Sequence, residues 1–166
     1  MAQITLKGNP INTSGDLPAV GSKAPDFKLT KSDLSDVSLA DFAGKKKILG
    51  IVPSLDTGVC QTSTKQFNQK AADAGDNVIL TISRDLPFAM KRFCESEGID
   101  KVIPLSEMRG RDFGAAYGLE NTEGGLAGVL ARAIVVIDET NTVKYVELVP
   151  EIAQEPNYEA AIAALS

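Results

Sequence analysis

The residue with the clearest chemical potential is Cys60, which lies where a predicted strand passes into a predicted helix. The apolar run at residues 48–52 precedes it, and the helix-compatible segment 61–74 follows it. At a helix start, unpaired backbone N–H groups and the helix dipole favour a thiolate over a thiol. Thr57 could direct its hydroxyl at the same sulfur. We interpret Cys60 as a redox nucleophile, and the alternative on position alone is a buried, unreactive cysteine.

The chain has no histidine among its 166 residues, and this count excludes several kinds of site. Cys-His and Ser-His nucleophile pairs are excluded, as is any metal ligated by histidine. The second cysteine, Cys94, lies 34 positions after the first, so the pair is not a C-x-x-C motif. Two thiols alone do not form a structural zinc site. We therefore predict neither a metal nor a cofactor.

Composition and charge indicate a soluble globular protein. The hydrophobic fraction of 43% and charged fraction of 23% are ordinary, and the length suits a single domain. A net charge of −5 argues against a nucleic-acid surface, which needs a basic face. Residues 1–7 lack signal-peptide features, and no run approaches the roughly 18 apolar residues of a membrane span. We expect a cytoplasmic protein, where a cycling disulfide is feasible but a persistent one is rare.

The order of predicted elements indicates the fold class. A hairpin over residues 1–14 is followed by strands and helices in alternation, and a second hairpin over 130–149 precedes a final helix at 158–165. Between the hairpins, helices are predicted over 61–74, 88–97 and 109–117. Such alternation predicts a mainly parallel central sheet flanked by helices. The best match is an α/β, thioredoxin-like fold with an added N-terminal β-hairpin, as a single domain over residues 1–166.

Arg132 is a charged residue inside the apolar strand predicted over residues 130–137. Because side chains alternate along a strand, it shares a face with three aliphatic residues, Leu130, Ile134 and Val136. A guanidinium on an apolar face is costly unless it is paired, and a thiolate is a suitable partner. Pairing with Cys60 would favour the thiolate. The alternative is an arginine near the strand end whose charged group reaches water.

The residues Pro53, Thr57 and Cys60 form the pattern Pro-x-x-x-Thr-x-x-Cys, which resembles the active site of the peroxiredoxins. Three longer stretches are similar to the bacterial thiol peroxidases, the atypical two-cysteine peroxiredoxins. They read Val-Pro-Ser-Leu-Asp-Thr-Gly-Val-Cys-Gln-Thr-Ser-Thr at 52–64, Asp-Leu-Pro-Phe-Ala-Met-Lys-Arg-Phe-Cys at 85–94 and Leu-Ala-Arg-Ala-Ile-Val-Val-Ile-Asp at 130–138. The resemblance covers essentially the whole chain.

The resemblance implies a thioredoxin-dependent peroxidase of antioxidant defence that reduces alkyl or lipid hydroperoxides and hydrogen peroxide. It makes Cys60 the peroxidatic cysteine and Cys94 the resolving cysteine, joined in a Cys60–Cys94 disulfide during turnover. It makes Thr57 and Arg132 the residues that orient and polarise the peroxide, while Pro53 shields the pocket. It also implies a homodimer.

Two expectations concern geometry and substrate. A disulfide requires Cα atoms about 4.4–6.8 Å apart. Cys60 begins one predicted helix and Cys94 lies inside another, so we predict local unwinding around one or both cysteines in each turnover. The apolar side chains of Leu55, Phe88 and Met90 are predicted to line the approach to the sulfur, which would favour alkyl hydroperoxides.

Other functions stay open at this point. A thioredoxin-like thiol–disulfide exchange protein is disfavoured by the missing C-x-x-C, and a glutathione-peroxidase type by the absence of tryptophan. A peroxide-responsive redox sensor shares the same first chemical step. Repeated turnover of peroxide distinguishes an enzyme from a sensor.

Overall fold

Apolar runs in the middle of the sequence form a seven-stranded sheet in the computed structural model, which describes residues 1–70 and 74–166. The strands of the described chain are β1 (Gln3–Leu6), β2 (Asn9–Asn12), β3 (Leu29–Thr30), β4 (Asp36–Val37), β5 (Lys47–Ile51), β6 (Val78–Ser83), β7 (Ile103–Ser106), β8 (Ala133–Ile137) and β9 (Val143–Leu148). Its helices are α1 (Gly58–Lys70), α2 (Pro87–Glu97), α3 (Asp112–Ala116) and α4 (Tyr158–Ala163), with a 3-10 helix at Leu39–Phe42. The part of the predicted helix 61–74 at residues 71–73 lies outside the described residues.

The sheet is mixed rather than mainly parallel. Its strand order is β4-β3-β7-β6-β5-β8-β9, and only the central strands β7, β6 and β5 run parallel to one another. The pairs on either side are antiparallel: β5 with β8, β8 with β9, β7 with β3, and β3 with β4. The predicted parallel sheet is thus correct for the centre alone. The thioredoxin-like order of elements and the separate β1–β2 hairpin are confirmed.

Each face of the sheet has its own apolar cluster. On one face β5 and β8 pack against α1, α2 and α4, through side chains that include Ile48, Phe67, Phe93, Ile134 and Ala161. On the other face they pack against the 3-10 helix, α3 and the β1–β2 hairpin, through side chains that include Ile4, Phe42, Leu49, Phe113 and Val135. Strands buried on both faces explain why β5 and β8 read as continuous apolar runs in the sequence.

Local residue types account for most element ends. Lys7 and Gly8 take positive φ angles of 51° and 80° at the turn of the β1–β2 hairpin, as a tight two-residue turn requires. Gly98, at φ 67°, ends α2 in the left-handed conformation. The helix predicted over 109–117 is shortened to α3, and Arg109, which lies before it, pairs with Asp36 at 2.8 Å. Within the described residues, no helix is long and apolar enough to cross a membrane.

Candidate active site

Cys60 lies in the first turn of α1, directly after the loop that leaves β5. It is fully buried, with 0% exposure, and belongs to the same apolar cluster as Phe67 and Met90. Burial in an apolar cluster is the environment of an inert cysteine. What distinguishes this thiol is a charged neighbour, because the Arg132 guanidinium donates through Nη2 to the Cys60 Sγ at 3.2 Å.

Arg132 immediately precedes β8, so it lies just outside the strand in which the sequence placed it. The antiparallel pairing of Ile51 with Ala133 brings it beside the segment that follows β5. The side chain is 3% exposed, and its Nε donates to the carbonyl of Ile152 at 2.8 Å. Among the described residues, its Nη1 is buried without a hydrogen-bond partner. The predicted pairing with Cys60 is confirmed, and the alternative of a group reaching water is wrong.

The loop between β5 and α1 is fixed by the carboxylate of Asp85. This carboxylate accepts hydrogen bonds of 2.7 Å from the Ser54 hydroxyl and from the Leu55 backbone N–H. It accepts a third bond of 2.7 Å from the hydroxyl of Ser83, at the end of β6. The Thr57 hydroxyl donates to the Ser54 carbonyl at 2.9 Å, rather than to the Cys60 sulfur as predicted. It does so because this bond closes the tight turn that leads into α1.

A cavity of about 220 Å³ reaches Arg132, the residue whose guanidinium contacts the buried sulfur. Its wall is formed by Leu6, Pro53, Thr57, Gly58, Val59, Leu126, Arg132, Ile152 and Ala153. It therefore brings together three of the predicted site residues, Pro53, Thr57 and Arg132. Cys60 itself is fully buried and does not line the cavity, and it is linked to it through its contact with Arg132. Apart from the guanidinium and one hydroxyl, the side chains of the wall are apolar or absent. Such a cavity suits a small molecule with an apolar body and one polar end.

The predicted apolar approach through Leu55, Phe88 and Met90 needs correction. Leu55 and Met90 are buried in the core, with exposures of 2% and 0%, and Phe88 is 63% exposed on the surface. None of these three side chains lines the cavity. The apolar wall comes instead from the β1–β2 hairpin, from the loop after α3 and from the segment after β9, which are distant in the sequence.

Glu151 attaches the β1–β2 hairpin to this wall. Its carboxylate accepts from the Thr5 hydroxyl at 2.7 Å, and from the backbone N–H groups of Lys7 at 3.0 Å and Gly8 at 3.2 Å. These hydrogen bonds, led by that from Thr5, lower the pKa of Glu151 to about 2. The hairpin is thereby held where its Leu6 closes one side of the cavity.

Cys94 lies in α2, and it is half-buried against the apolar cluster that contains Cys60. Both cysteines are free thiols, and both α1 and α2 are helical at these positions. Burial, reinforced by the neighbouring charge of Glu95, raises the pKa of Cys94 to about 11. The folded arrangement therefore keeps Cys94 as a protonated thiol.

This shift predicts the pH dependence of Cys94 reactivity. In a Cys60→Ser variant, alkylation of Cys94 by iodoacetamide should remain slow at pH 9 and rise as the pH approaches about 11. The unfolded chain should react as an ordinary thiol with a pKa of about 8.5. The folded state holds the Cys94 proton more tightly than the unfolded chain does. The contribution of Cys94 to the free energy of unfolding is therefore full below about pH 8.5, and it is lost as the pH rises toward about 11. Identical alkylation profiles for the folded and urea-unfolded chains would contradict this expectation.

Sequence reasoning missed Asp85 and the residues of the apolar wall. A signal for Asp85 was available, because it follows β6 just as Pro53 and Ser54 follow the adjacent parallel strand β5. The carboxyl ends of neighbouring parallel strands meet at one edge of a sheet. No comparable signal marks Leu6, Leu126 or Ile152. Among the described residues, no group of three or more acidic residues or cysteines could hold a metal ion.

Comparison with known proteins places this geometry in context. Residues 19–162 match the Redoxin family model. The chain is 58% identical over 165 residues to a thiol peroxidase of Mycobacterium tuberculosis, covering 99% of both chains. It is 55% identical over 166 residues to a thiol peroxidase of Leptospira interrogans, covering 99% of this chain and 97% of that one. A solved structure of a peroxiredoxin-like protein from Aquifex aeolicus has a TM-score of 0.93 at 41% identity, covering 99% and 96% of the two chains.

Proposed function

Because this chain belongs to the Redoxin family, we propose that it is a thiol peroxidase in which Cys60 attacks hydroperoxides. One observation carries the assignment of the site. The buried Cys60 sulfur accepts a hydrogen bond of 3.2 Å from Arg132, whose Nη1 is buried without a partner among the described residues. A guanidinium with one donor on the nucleophile and another free is suited to hold a peroxide oxygen beside the sulfur.

In the first step the Cys60 thiolate attacks the terminal oxygen of the hydroperoxide. The S–O bond forms as the O–O bond breaks, so the sulfur becomes a sulfenic acid and the leaving oxygen departs, after protonation, as an alcohol or water. Negative charge develops on that leaving oxygen. The Arg132 guanidinium and the unpaired N–H groups at the start of α1 would stabilise it. Thr57 and Pro53, in the wall of the cavity, support the orientation and shielding of the peroxide.

In the second step Cys94 condenses with the sulfenic acid. The Cys94 sulfur displaces the hydroxyl group of the Cys60 sulfenic acid, the proton of the Cys94 thiol joins that hydroxyl so that it leaves as water, and a Cys60–Cys94 disulfide remains. The helical state of both cysteine segments and the raised pKa of Cys94 support a local unwinding before this step. A dithiol protein of the thioredoxin type then reduces the disulfide by exchange.

The apolar wall favours a substrate with a hydrocarbon body over hydrogen peroxide. Three aliphatic side chains, Leu6, Leu126 and Ile152, line the same cavity as the single guanidinium. An alkyl or lipid hydroperoxide would bury its chain against them while its O–O group lies at Arg132. From the family we further infer a cytoplasmic homodimer, and antioxidant defence as the role.

The test of this function measures peroxide consumption with a thioredoxin system, using hydrogen peroxide and cumene hydroperoxide in parallel. The wild type should turn over many equivalents, with the higher kcat/KM for cumene hydroperoxide. Cys60→Ser should show no turnover, because the attacking sulfur is absent. Cys94→Ser should consume one equivalent and then stall, because it forms the sulfenic acid but no disulfide.

Three results would contradict the proposal. Full activity of Cys60→Ser would remove the assigned nucleophile. A wild type that stops after one equivalent would indicate the redox-sensor function instead. Equal kcat/KM for the two peroxides would contradict the part assigned to the apolar wall while leaving the cysteine chemistry intact.

A further inference from the structure

Asp85 joins the loop of the first cysteine to the helix of the second. Its carboxylate binds the Ser54 hydroxyl and the Leu55 N–H on one side, each at 2.7 Å. On the other side its backbone leads, two residues later, into Pro87, the first residue of α2. Its carbonyl accepts from the hydroxyl of Ser106 at the end of β7. The residue is thus held to the sheet while it holds the Cys60 loop.

The bonds of Ser54 extend this link to the start of α1. The Ser54 hydroxyl, which donates to Asp85, also accepts from the Asp56 N–H at 3.1 Å. The Ser54 carbonyl accepts from both the hydroxyl and the N–H of Thr57, at 2.9 and 3.2 Å. The carbonyl of Thr57 in turn accepts from the N–H of Gln61, within the first turn of α1. A continuous chain of hydrogen bonds therefore runs from the Asp85 carboxylate to the turn that contains Cys60.

We propose that Asp85 is a positioning residue, which holds the Cys60 loop in the arrangement that reacts with peroxide and restrains the opening that disulfide formation requires. This inference rests on the proposed function. Ionised acceptors form stronger hydrogen bonds than neutral ones, and this carboxylate accepts three. Loss of its charge weakens the closed arrangement relative to the opened one. One substitution should therefore slow the reaction of Cys60 with peroxide and speed its condensation with Cys94.

Asp85→Asn tests this proposal because it keeps the shape of the side chain. The amide has one oxygen instead of two, so its NH₂ group must face at least one of the three donors. The first step is isolated in a Cys94→Ser background, where sulfenic acid accumulates. The protein has no tryptophan whose fluorescence could follow the reaction. Each species is therefore measured by rapid quenching with a thiol label, followed by mass spectrometry of the intact chain. Oxidation of Cys60 by hydrogen peroxide should slow about tenfold, the effect of losing one charge-assisted bond.

The second step is measured in the chain that retains Cys94. A single addition of peroxide forms the sulfenic acid, and the conversion of that species to the disulfide should become about tenfold faster in Asp85→Asn. The opposite signs of the two effects are the mark of a shift from the closed toward the opened arrangement. A general loss of structure would favour the opened arrangement as well, so equal urea-unfolding midpoints for Asp85→Asn and its parent are required to assign the effect to the loop.

Asp138→Asn provides a matched control. The Asp138 carboxylate also accepts three hydrogen bonds, from the N–H and hydroxyl of Thr140 and from the N–H of Thr142, but in the β8–β9 turn. Its rates for both steps should equal those of the parent. If Asp85→Asn does not fold, Ser54→Ala removes one of the same bonds and should shift both rates in the same directions by a smaller factor.

The possible failures are distinguishable. If the Cys94→Ser parent is not oxidised by peroxide, the proposed function is wrong, whatever Asp85 does. If that parent reacts but neither Asp85→Asn nor Ser54→Ala alters the two rates, or if both rates fall together, the positioning role of Asp85 is overturned and the peroxidase function stands.

Discussion

Replacing Arg132 with alanine is expected to slow the oxidation of Cys60 by peroxide at least about 100-fold, the usual effect of removing a preorganised donor at developing charge. The guanidinium contacts the Cys60 sulfur at 3.2 Å and is 3% exposed, so water does not replace it easily. Its loss removes the donor on the Cys60 sulfur and the free donor that would hold the peroxide oxygen. The measurement is the second-order rate of Cys60 oxidation in a Cys94→Ser background.

A second substitution separates charge from geometry. Arg132→Lys keeps a positive charge but loses the planar fork that reaches both the Ile152 carbonyl and the Cys60 sulfur. Its rate should fall between those of the parent and the alanine variant. Arg109→Ala serves as the control, because that arginine is half-exposed and pairs with Asp36 on the surface. An Arg132→Ala variant that is oxidised within about threefold of the parent rate would contradict the role given to the guanidinium.

Removing the carboxylate of Glu107 is expected to destabilise the fold by about 3–5 kcal/mol, because it breaks a buried ion pair and leaves the Arg84 guanidinium with one of its two carboxylate partners. The Arg84 Nε lies 2.6 Å from the Glu107 Oε1, and the two side chains are only 7% and 2% exposed. The other Glu107 oxygen accepts from the N–H of Gly114 at 2.6 Å. A Cβ at Gly114 would lie 2.9 Å from the Arg84 Nη2, so the glycine makes room for the ion pair.

Urea unfolding of Glu107→Ala at pH 7 measures this free energy. The surface pair of Arg109 with Asp36 is the matched control, and Arg109→Ala should cost less than about 1 kcal/mol. The double variant Arg84→Met with Glu107→Leu should lose less free energy of unfolding than Glu107→Ala alone, since both members of the buried ion pair are replaced by apolar side chains. A loss below about 1 kcal/mol in Glu107→Ala would show that the pair contributes no more than a surface one.

The Arg84 pair also bears on the site. Arg84 donates through Nη1 to the carbonyl of Gly128 and through Nη2 to the carboxylate of Glu120 at 2.8 Å. These two partners flank Leu126, which lines the same cavity as Arg132. Loss of Glu107 should therefore loosen one wall of the cavity as well as the fold.

The sequence predicted those parts of the molecule that depend on local residue types. Asn157 caps the last helix by accepting from the Ala160 N–H at 3.0 Å, and asparagine is a residue type that favours this position. Cys60 and Arg132 were identifiable because each is chemically unusual for its place, a thiol at a helix start and a cation among aliphatic residues. Their contact follows from the antiparallel pairing of β5 with β8, which the structure shows.

Features that depend on long-range register could not be predicted in this way. The directions of the short strands β3 and β4 follow from their pairing with each other and with β7, not from their own residues. The apolar wall of the cavity is built from three segments that are separate in the sequence. Leu55 and Met90 are apolar, as residues of a substrate pocket often are, but both lie in the core. An apolar residue type fits either place, so it could not decide between them.

The attachment of the β1–β2 hairpin by Glu151 has a consequence for how the protein is made. Thr5 pairs with Glu151, 146 residues away in the sequence, and Arg132 also depends on the carbonyl of Ile152. During synthesis on the ribosome, Cys60 and Cys94 emerge well before either of these partners is available. A nascent chain therefore carries two ordinary thiols. The reactive site is completed only when the segment after β9 has left the ribosome and has met the β1–β2 hairpin.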